Sequence, residues 1–326
     1  MPRSKVLTFL SLATLSVAAI AQSTVSARPG TLNYTEGQAS LEGRQLSAGA
    51  ESKTSLAAGQ SLSTSNGKAE ILLTPGIFLR VGSNSTVQMV SPNLTQTEVR
   101  LEQGRANVEV DEIYNQNRIL IDLPNGQTQI MKKGLYAFDA TNSTVSVFDG
   151  QANVYPGADL QTDVKPIQVK GGRRLVLTGD AEQPVKFDKD SAKDDLYNWG
   201  SLRSQYLGEA NLSLASNYAG ASAFNPGWYW AGGMYGYTWL PGNGLFWNPY
   251  GYGFYSPYYI YGGGPIYGYG RGFGYRPGFY GYRGGYAGGY RGGAVVGGSR
   301  GGFIGGGGWR GGTAGSGGFH GGGGRR

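Results

Sequence analysis

The chain has 326 residues, with 28 lysines and arginines against 21 aspartates and glutamates, and a net charge of +7. It contains no cysteine, which excludes disulfides, thiolate nucleophiles, thiolate metal ligands and a lipidated cysteine. Its single histidine, His320, stands in a glycine-rich stretch, so no Ser-His-acid or histidine-metal group is expected in a folded part. We therefore predict a protein without enzyme activity, cofactor or metal ion, although chemistry based on carboxylates alone or on Ser-Lys pairs stays open.

Residues 1–27 have the layout of a secretory signal peptide. Arg3 and Lys5 precede an apolar run over 6–21, and small residues offer A-x-A-like cleavage points at 19–21 and 25–27. The run is short for a membrane-spanning helix and polar residues interrupt it, so an uncleaved anchor is the weaker alternative. The sequence thus predicts an exported protein of the periplasm or cell surface that is not an integral membrane protein. The lack of cysteine in an exported chain favours a bacterial source.

Short β-strands are predicted between residues 28 and 178, which we take as the folded domain. Stretches rich in β-branched and aromatic residues recur there about every 8–12 residues, the rhythm of a sandwich or barrel. These stretches are 69–73, 78–81, 86–90, 99–101, 106–110, 119–123, 135–138, 145–148, 152–155 and 175–177. Between two of them, Asp149-Gly150 predicts a two-residue hairpin turn with positive φ at the glycine.

Three sequence steps in this segment carry a family resemblance. The run LSTSNGKAEILLTPGIFLRVGSNST at 62–86 is followed by LEQGRANV at 101–108 and by VFDGQANV at 147–154. In this order they resemble the FecR-domain family over roughly 30–178. The resemblance implies an all-β, sandwich-like or rolled barrel-like domain outside the cytoplasm. In founding members the domain senses a transport signal and passes it to a sigma factor through a cytoplasmic segment and a membrane helix, for which residues 1–27 leave no room.

One short helix is predicted over 188–207, inside a linker at 179–215. Asp188 and Asp190 suit a helix start, and apolar residues recur at helical spacing after them. Asp195, Trp199 and Arg203 are similar to a D-x-x-x-W-x-x-x-R helix that follows FecR domains in exported relatives. We expect Trp199 to dock the helix on the sheet.

Residues 216–260 are rich in Trp, Tyr, Pro and Gly, and they resemble G-x-x-W-x-P repeats that trail FecR domains in bacterial envelope proteins. Two interpretations are open. The aromatic residues form the cores of small glycine-punctuated hairpins, or they form an exposed stacking platform for sugars or peptides. The binding candidates of this segment are Trp228, Trp230, Trp239 and Trp247.

Residues 261–326 form a Gly/Tyr/Arg-rich tail that is predicted to be disordered, because it has too little aliphatic surface to offset the entropy of folding. No acidic residue follows Glu209, so the basic charge is concentrated here. Arg-Gly-Gly repeats give four binding candidates: Arg283, Arg291, Arg300 and Arg310. Outside the cytoplasm such a tail favours polyanions through salt-dependent attraction, with no specific nucleic acid partner. A flexible tail without a specific function is the alternative.

These patterns together predict a non-catalytic extracytoplasmic binding or scaffolding protein of the bacterial cell envelope. Its expected partners are an envelope protein or polysaccharide, with polyanions bound by the tail. A FecR-like regulatory sensor acting with a separate membrane partner is the alternative. A glycosidase with two carboxylates in a cleft is a minor third hypothesis.

Overall fold

The computed structural model describes residues 27–47, 53–157, 159, 163–177 and 183–266. Its main feature is a 15-stranded sheet, which confirms the predicted all-β class. In chain order the strands are β1 (Leu32–Leu41), β2 (Arg44–Gln45), β3 (Ser61–Leu72), β4 (Ile77–Val81), β5 (Thr86–Pro92), β6 (Gln96–Gln103), β7 (Arg105–Val110), β8 (Arg118–Leu123), β9 (Gly126–Ile130), β10 (Gly134–Asp139), β11 (Thr144–Asp149), β12 (Gln151–Pro156), β13 (Ile167–Lys170), β14 (Arg173–Val176) and β15 (Val185–Lys186).

The sheet folds over into two halves that share strand β3. One half has the order β13-β12-β9-β8-β6-β5, and the other has the order β4-β7-β10-β11-β14-β15. Strand β3 belongs to both, because residues 61–63 pair with β5 and residues 69–72 pair with β4. Strands β6 and β7 follow each other across Gly104 but lie in different halves, and β11 and β12 do the same across Gly150. Such strand bends are how a sheet turns a corner between packed layers.

Apolar side chains of both halves meet in one core, as strand alternation predicts. Members from the first half include Leu62, Val87, Val99, Ile121, Ile130 and Val154, and members from the second include Ile71, Leu79, Val108, Phe138, Val147 and Leu175. All of them are at most 2% exposed. We call this cluster the apolar core.

The two-residue hairpin predicted at Asp149-Gly150 is wrong. Strand β11 pairs with β10 and β14, strand β12 pairs with β9 and β13, and the two do not pair with each other. Gly150 still has a φ of +99°, and a Cβ there would overlap the hydroxyl of Tyr136. The dipeptide therefore indicated the positive φ correctly. A hairpin turn and a bend between two strands both need a positive φ at the glycine, so the dipeptide alone does not distinguish them.

Helix α1 (Asp195–Asn217) begins and ends later than the predicted 188–207, and it is not short. Asp194 is its N-cap, accepting the Tyr197 N–H at 2.8 Å, whereas Asp188 accepts the Asp190 N–H in a preceding turn. The buried face of α1 also contains polar and small residues, which a search for apolar residues at helical spacing does not detect. These are Gly200, Ser204, Gly208, Ala210, Asn211 and Ala215.

Two hairpins and a second, short helix complete the described chain. They are β16 (Gly227–Trp230) with β17 (Tyr237–Leu240), β18 (Leu245–Trp247) with β19 (Gly253–Tyr255), and α2 (Pro257–Tyr261). Together with α1 they cover the face of β3, β4 and β7 that points away from the apolar core. An aromatic contact illustrates this packing, since the rings of Phe78 and Trp228 lie 5.0 Å apart edge to face.

Candidate functional sites

The covered face of the sheet carries a group of fully buried charges. Glu70 on β3 lies directly opposite Arg80 on β4, and Glu109 lies on the neighbouring β7. Arg80 donates from Nε to Glu70 Oε2 at 3.0 Å, from Nη1 to Glu109 Oε2, and from Nη2 to Ser204 Oγ at 2.9 Å. The side chains of Glu70 and Arg80 have no exposed surface. Charges this deep in a protein persist only when they are paired and hydrogen-bonded.

Helix α1 supplies the partners on the opposite side. Arg203 donates from Nη2 to Glu70 Oε1 at 2.9 Å and to the carbonyl of Tyr235 at 2.8 Å. Its guanidinium also lies over the ring of Tyr34, 4.0 Å from the centroid. One turn of α1 therefore brings both Arg203 and Ser204 into the network. With Arg203 present, two arginines balance the two carboxylates of Glu70 and Glu109.

Two asparagines connect the network to distant parts of the chain. Asn33 on β1 donates to Glu70 Oε1 at 2.9 Å and to the Tyr237 carbonyl at 3.0 Å, and its Oδ1 accepts the Tyr237 N–H. Asn248, just after β18, donates to Glu109 Oε1 at 2.6 Å. We call the connected side chains the polar cluster: Asn33, Glu70, Arg80, Glu109, Arg203, Ser204 and Asn248.

The pKa values of the carboxyl groups in and beside the polar cluster are shifted by burial and by neighbouring charges. Burial raises the pKa of Glu70, but the charges of Arg203 and Arg80 outweigh it and the pKa ends below its ordinary value. The pKa of neighbouring Asp111 is well above its ordinary value, through burial and then through the charge of Glu109. As an ionised group Asp111 would have no hydrogen-bond donor for either oxygen, whereas a protonated Asp111 donates to Glu109. The arrangement holds elements together and leaves no space for a substrate.

The aromatic binding candidates fall into two pairs. Trp228 and Trp239 are 9% and 1% exposed and belong to an aromatic cluster with Phe78 and Phe254 between the sheet and the hairpins. Their rings are packed against protein, as the hairpin-core interpretation expects. Trp230 and Trp247 are 40% and 39% exposed, and for these two the stacking-platform interpretation stays a prediction.

Trp247 stands at the rim of a pocket of about 300 Å³ at one end of the sheet. We call it the Trp247 pocket. Its lining residues are Val110, Lys133, Gly134, Asp149, Trp247, Asn248, Pro249, Tyr250 and Gly251.

A larger groove of about 740 Å³ lies on the other half of the sheet. Gln127 bridges two carboxylates there, donating to Asp122 Oδ1 at 2.8 Å and to Glu98 Oε1 at 3.2 Å. Burial and then the charge of Asp122 raise the pKa of Glu98. The groove is broad and acidic, with Arg100 as its cation.

Other expectations lie outside the described residues. The signal peptide and its cleavage points fall in 1–26, and Arg283, Arg291, Arg300 and Arg310 fall after 266. No helix in the described part of the chain has the length and apolarity needed to cross a membrane. Among the residues from 27 to 266 that the structure describes, no three acidic or histidine side chains are grouped to hold a metal ion.

The polar cluster was missed by sequence analysis, although a signal existed. Glu70 and Glu109 stand at the strand positions that point away from the apolar core, and Leu72 and Phe78 share that face. Apolar residues on both faces of β4 indicate a strand covered on both sides. The predicted docking of Trp199 is observed, because its Nε1 donates to Glu36 Oε2 on β1 at 2.8 Å.

Comparison with known proteins supports the family resemblance. The family model described as FecR protein matches residues 60–153. Two crystal structures described as a proposed anti-sigma factor from Parabacteroides distasonis are similar at 13% and 11% identity, with TM-scores of 0.33 and 0.34. Each comparison covers 41% of this chain, which spans 63% and 62% of the two solved chains. No curated protein matches.

Proposed function

We propose that this protein, whose residues 60–153 match the family model described as FecR protein, is a non-catalytic binding or scaffolding protein of the bacterial cell envelope. The observation that carries the proposal is the contrast between the buried polar cluster and the open Trp247 pocket. The charged groups of the polar cluster are tied to one another at 0–3% exposure, so they are engaged in structure. The open pocket presents an aromatic ring and polar side chains, the usual equipment of a recognition site.

The partner is an envelope protein or a polysaccharide bound by the folded part. The arginines at 283, 291, 300 and 310 add attraction to polyanions, because no acidic residue stands among them. The proposal places the mature chain in the periplasm or on the cell surface, following removal of residues 1–27.

A capture experiment from envelope extract tests this function. The full chain and a chain ending at Ile266 are immobilised and exposed to the extract, with a wash series in rising salt. We expect both chains to retain one common envelope component. Only the full chain should also retain acidic polysaccharide, and this binding should persist at low salt and be lost as the salt concentration rises. Recovery of a Met1-containing chain from the cytosol, with no envelope component retained by either form, contradicts the proposal.

A regulatory sensor is the second candidate, and the FecR match at 60–153 is what favours it. A sensor needs a membrane-embedded partner that carries the signal inward. Crosslinking in intact cells distinguishes the two functions, because a sensor should form a defined complex with one membrane-spanning protein. A polysaccharide-binding protein should form no such complex.

A further inference from the structure

We propose that the Trp247 pocket binds a neutral saccharide residue; this rests on the proposed binding function and specifies its ligand. The site has three features in one opening of about 300 Å³: a half-exposed indole ring, a carboxylate and an ammonium group. The volume lies at the lower end of the roughly 300–1,000 Å³ found for small-molecule sites. It therefore suits one sugar ring of a longer chain.

The walls of the pocket are fixed before any ligand binds. On one side Asn248 accepts the N–H groups of Tyr250 and Tyr252 through Oδ1, at 3.1 and 2.8 Å, while its amide is held by Glu109. These bonds fix the loop that carries Trp247. Preorganisation of this kind removes the ordering cost that otherwise weakens binding.

The opposite wall comes from the sheet. Gly134 lies so close to the Asp149 carbonyl that a Cβ would overlap it, and the bend at Gly150 holds Asp149 beside Lys133. Asp149 accepts the Gly150 N–H through Oδ1 at 2.9 Å, which orients its carboxylate and keeps Oδ2 as a second acceptor. Both charged side chains are exposed at the rim.

The chemistry of these groups matches a sugar. A hydroxyl group both donates and accepts, so neighbouring hydroxyls can donate to Asp149 and accept from Lys133. The flat, apolar indole of Trp247 offers a surface for the C–H face of the ring. Because the two rim charges are opposite, the pocket has no electrostatic preference for an anion, in contrast to the arginines after residue 266.

A peptide fits less well. Extended peptides are usually bound by adding a strand to a sheet edge, and helical peptides need a long apolar groove. The Trp247 pocket lies where β10 begins and β11 ends, so it offers strand ends instead of an edge, and its lining contains few aliphatic residues.

The test is a titration of the full chain with neutral hexasaccharides of glucose, mannose and N-acetylglucosamine, followed by calorimetry. We expect at least one to bind, with affinity changing less than about twofold between low and physiological salt. Trp247→Ala should weaken that binding about tenfold or more, as for a central aromatic anchor. Tyr206→Ala is the matched control, because that ring is 38% exposed on α1 and does not line the pocket, and this substitution should change the affinity less than about twofold. Asp149→Asn and Lys133→Gln should each weaken binding about threefold to tenfold.

The inference is overturned if none of the hexasaccharides binds, if Trp247→Ala and Tyr206→Ala lose binding equally, or if physiological salt abolishes the binding. Binding of a peptide but no saccharide at this pocket also overturns it. Thermal melts of each variant separate lost binding from lost folding. If the envelope component is still captured by Trp247→Ala, the pocket assignment fails while the proposed function stands, whereas the absence of any capture by the unmodified chain is a failure of the proposed function itself.

Discussion

The two interiors of this molecule are built on different principles. The apolar core between the sheet halves contains aliphatic and aromatic side chains from alternating strand positions, and it should tolerate other apolar side chains of similar volume. The polar cluster on the other face of the same strands requires particular atoms, such as the Arg80 guanidinium between two carboxylates. The apolar core stabilises the sheet, and we infer that the polar cluster fixes the position of α1 and the hairpins.

This division follows from the cost of burying charge. A buried ion pair seldom stabilises more than apolar residues of the same volume, but it is strongly destabilising once one partner is lost. The polar cluster therefore penalises any arrangement in which α1 shifts by one turn or the Asn248 loop detaches. Specific placement of the loop is also what keeps the Trp247 pocket open.

Removing the second interior should have the largest effect. A chain that ends at Tyr218 loses Asn248 and the aromatic residues that cover Phe78, which leaves Glu109 with fewer partners in an apolar surface. We expect it to aggregate or to melt without cooperativity, whereas a chain ending at Ile266 melts cooperatively. Calorimetry on both chains is the measurement. A cooperative β-sheet melt of the shorter chain would instead show that the sheet and α1 fold without the residues after Tyr218.

Arg80→Met separates the charges from the packing. Glu70 and Glu109 then lose their shared cation in a site without solvent, and the free energy of unfolding should fall by about 3–5 kcal/mol. The matched control is Arg105→Met, because that arginine pairs with Asp194 and Asp195 at the surface and should contribute less than about 1 kcal/mol. Urea denaturation of both variants gives the two free energies of unfolding. Equal losses of stability would mean that the buried ion pairs of Arg80 contribute no more than the surface pairs of Arg105.

Gly150→Val tests the bend between the sheet halves. A side chain there combines the strain of a positive φ with an overlap on Tyr136, at an expected cost of about 2–4 kcal/mol. Gly157→Val provides the control, since Gly157 has a φ of +63° and no atom within 4 Å of an added Cβ. Thermal melts should show a smaller loss for this variant. Identical losses would indicate that only the backbone conformation matters at the bend.

Asp111→Asn should have the smallest effect, and it depends on pH. The pKa of Asp111 in the folded protein is well above its value of about 3.9 in the unfolded chain. The stabilisation from this group is therefore complete below about pH 3.9. It is lost as pH rises through the raised folded pKa. An asparagine keeps a donor toward Glu109 but does not titrate.

Between pH 5 and pH 8 the unmodified chain should therefore lose more stability than the variant. Glu70 does not interfere in this window, because its lowered pKa acts near pH 4 and below. Urea titrations at both pH values give the comparison. Parallel pH dependences would show that Asp111 is ionised in the folded chain.

The strands that form the apolar core were predictable because their period of two is local. Residues 106–110 and 145–148, for example, were recognised from β-branched residues between turn signals, and they are strands β7 and β11. The pairing of β11 was not predictable, because Asp149-Gly150 is compatible with both a hairpin and a bend. Apolar residues on both faces of β4 could have revealed that the strand is covered on both sides, but the membership of the polar cluster could not be predicted, for a different reason. Its members come from β1, β3, β4, β7, α1 and the Asn248 loop, and a single charged residue in a strand does not reveal its partners.

Placing β1 beneath the C-terminal hairpins has a consequence for the order of folding. The Asn33 side chain bonds to Tyr237, 204 residues further along the chain, and Trp199 reaches Glu36 across 163 residues. Contacts over such separations form slowly, because a long loop must close before they stabilise anything. Strand β1 is thus completed only when the hairpins that follow α1 are in place, and until then its polar side chains and the outer face of β3 stay open to water and proteases.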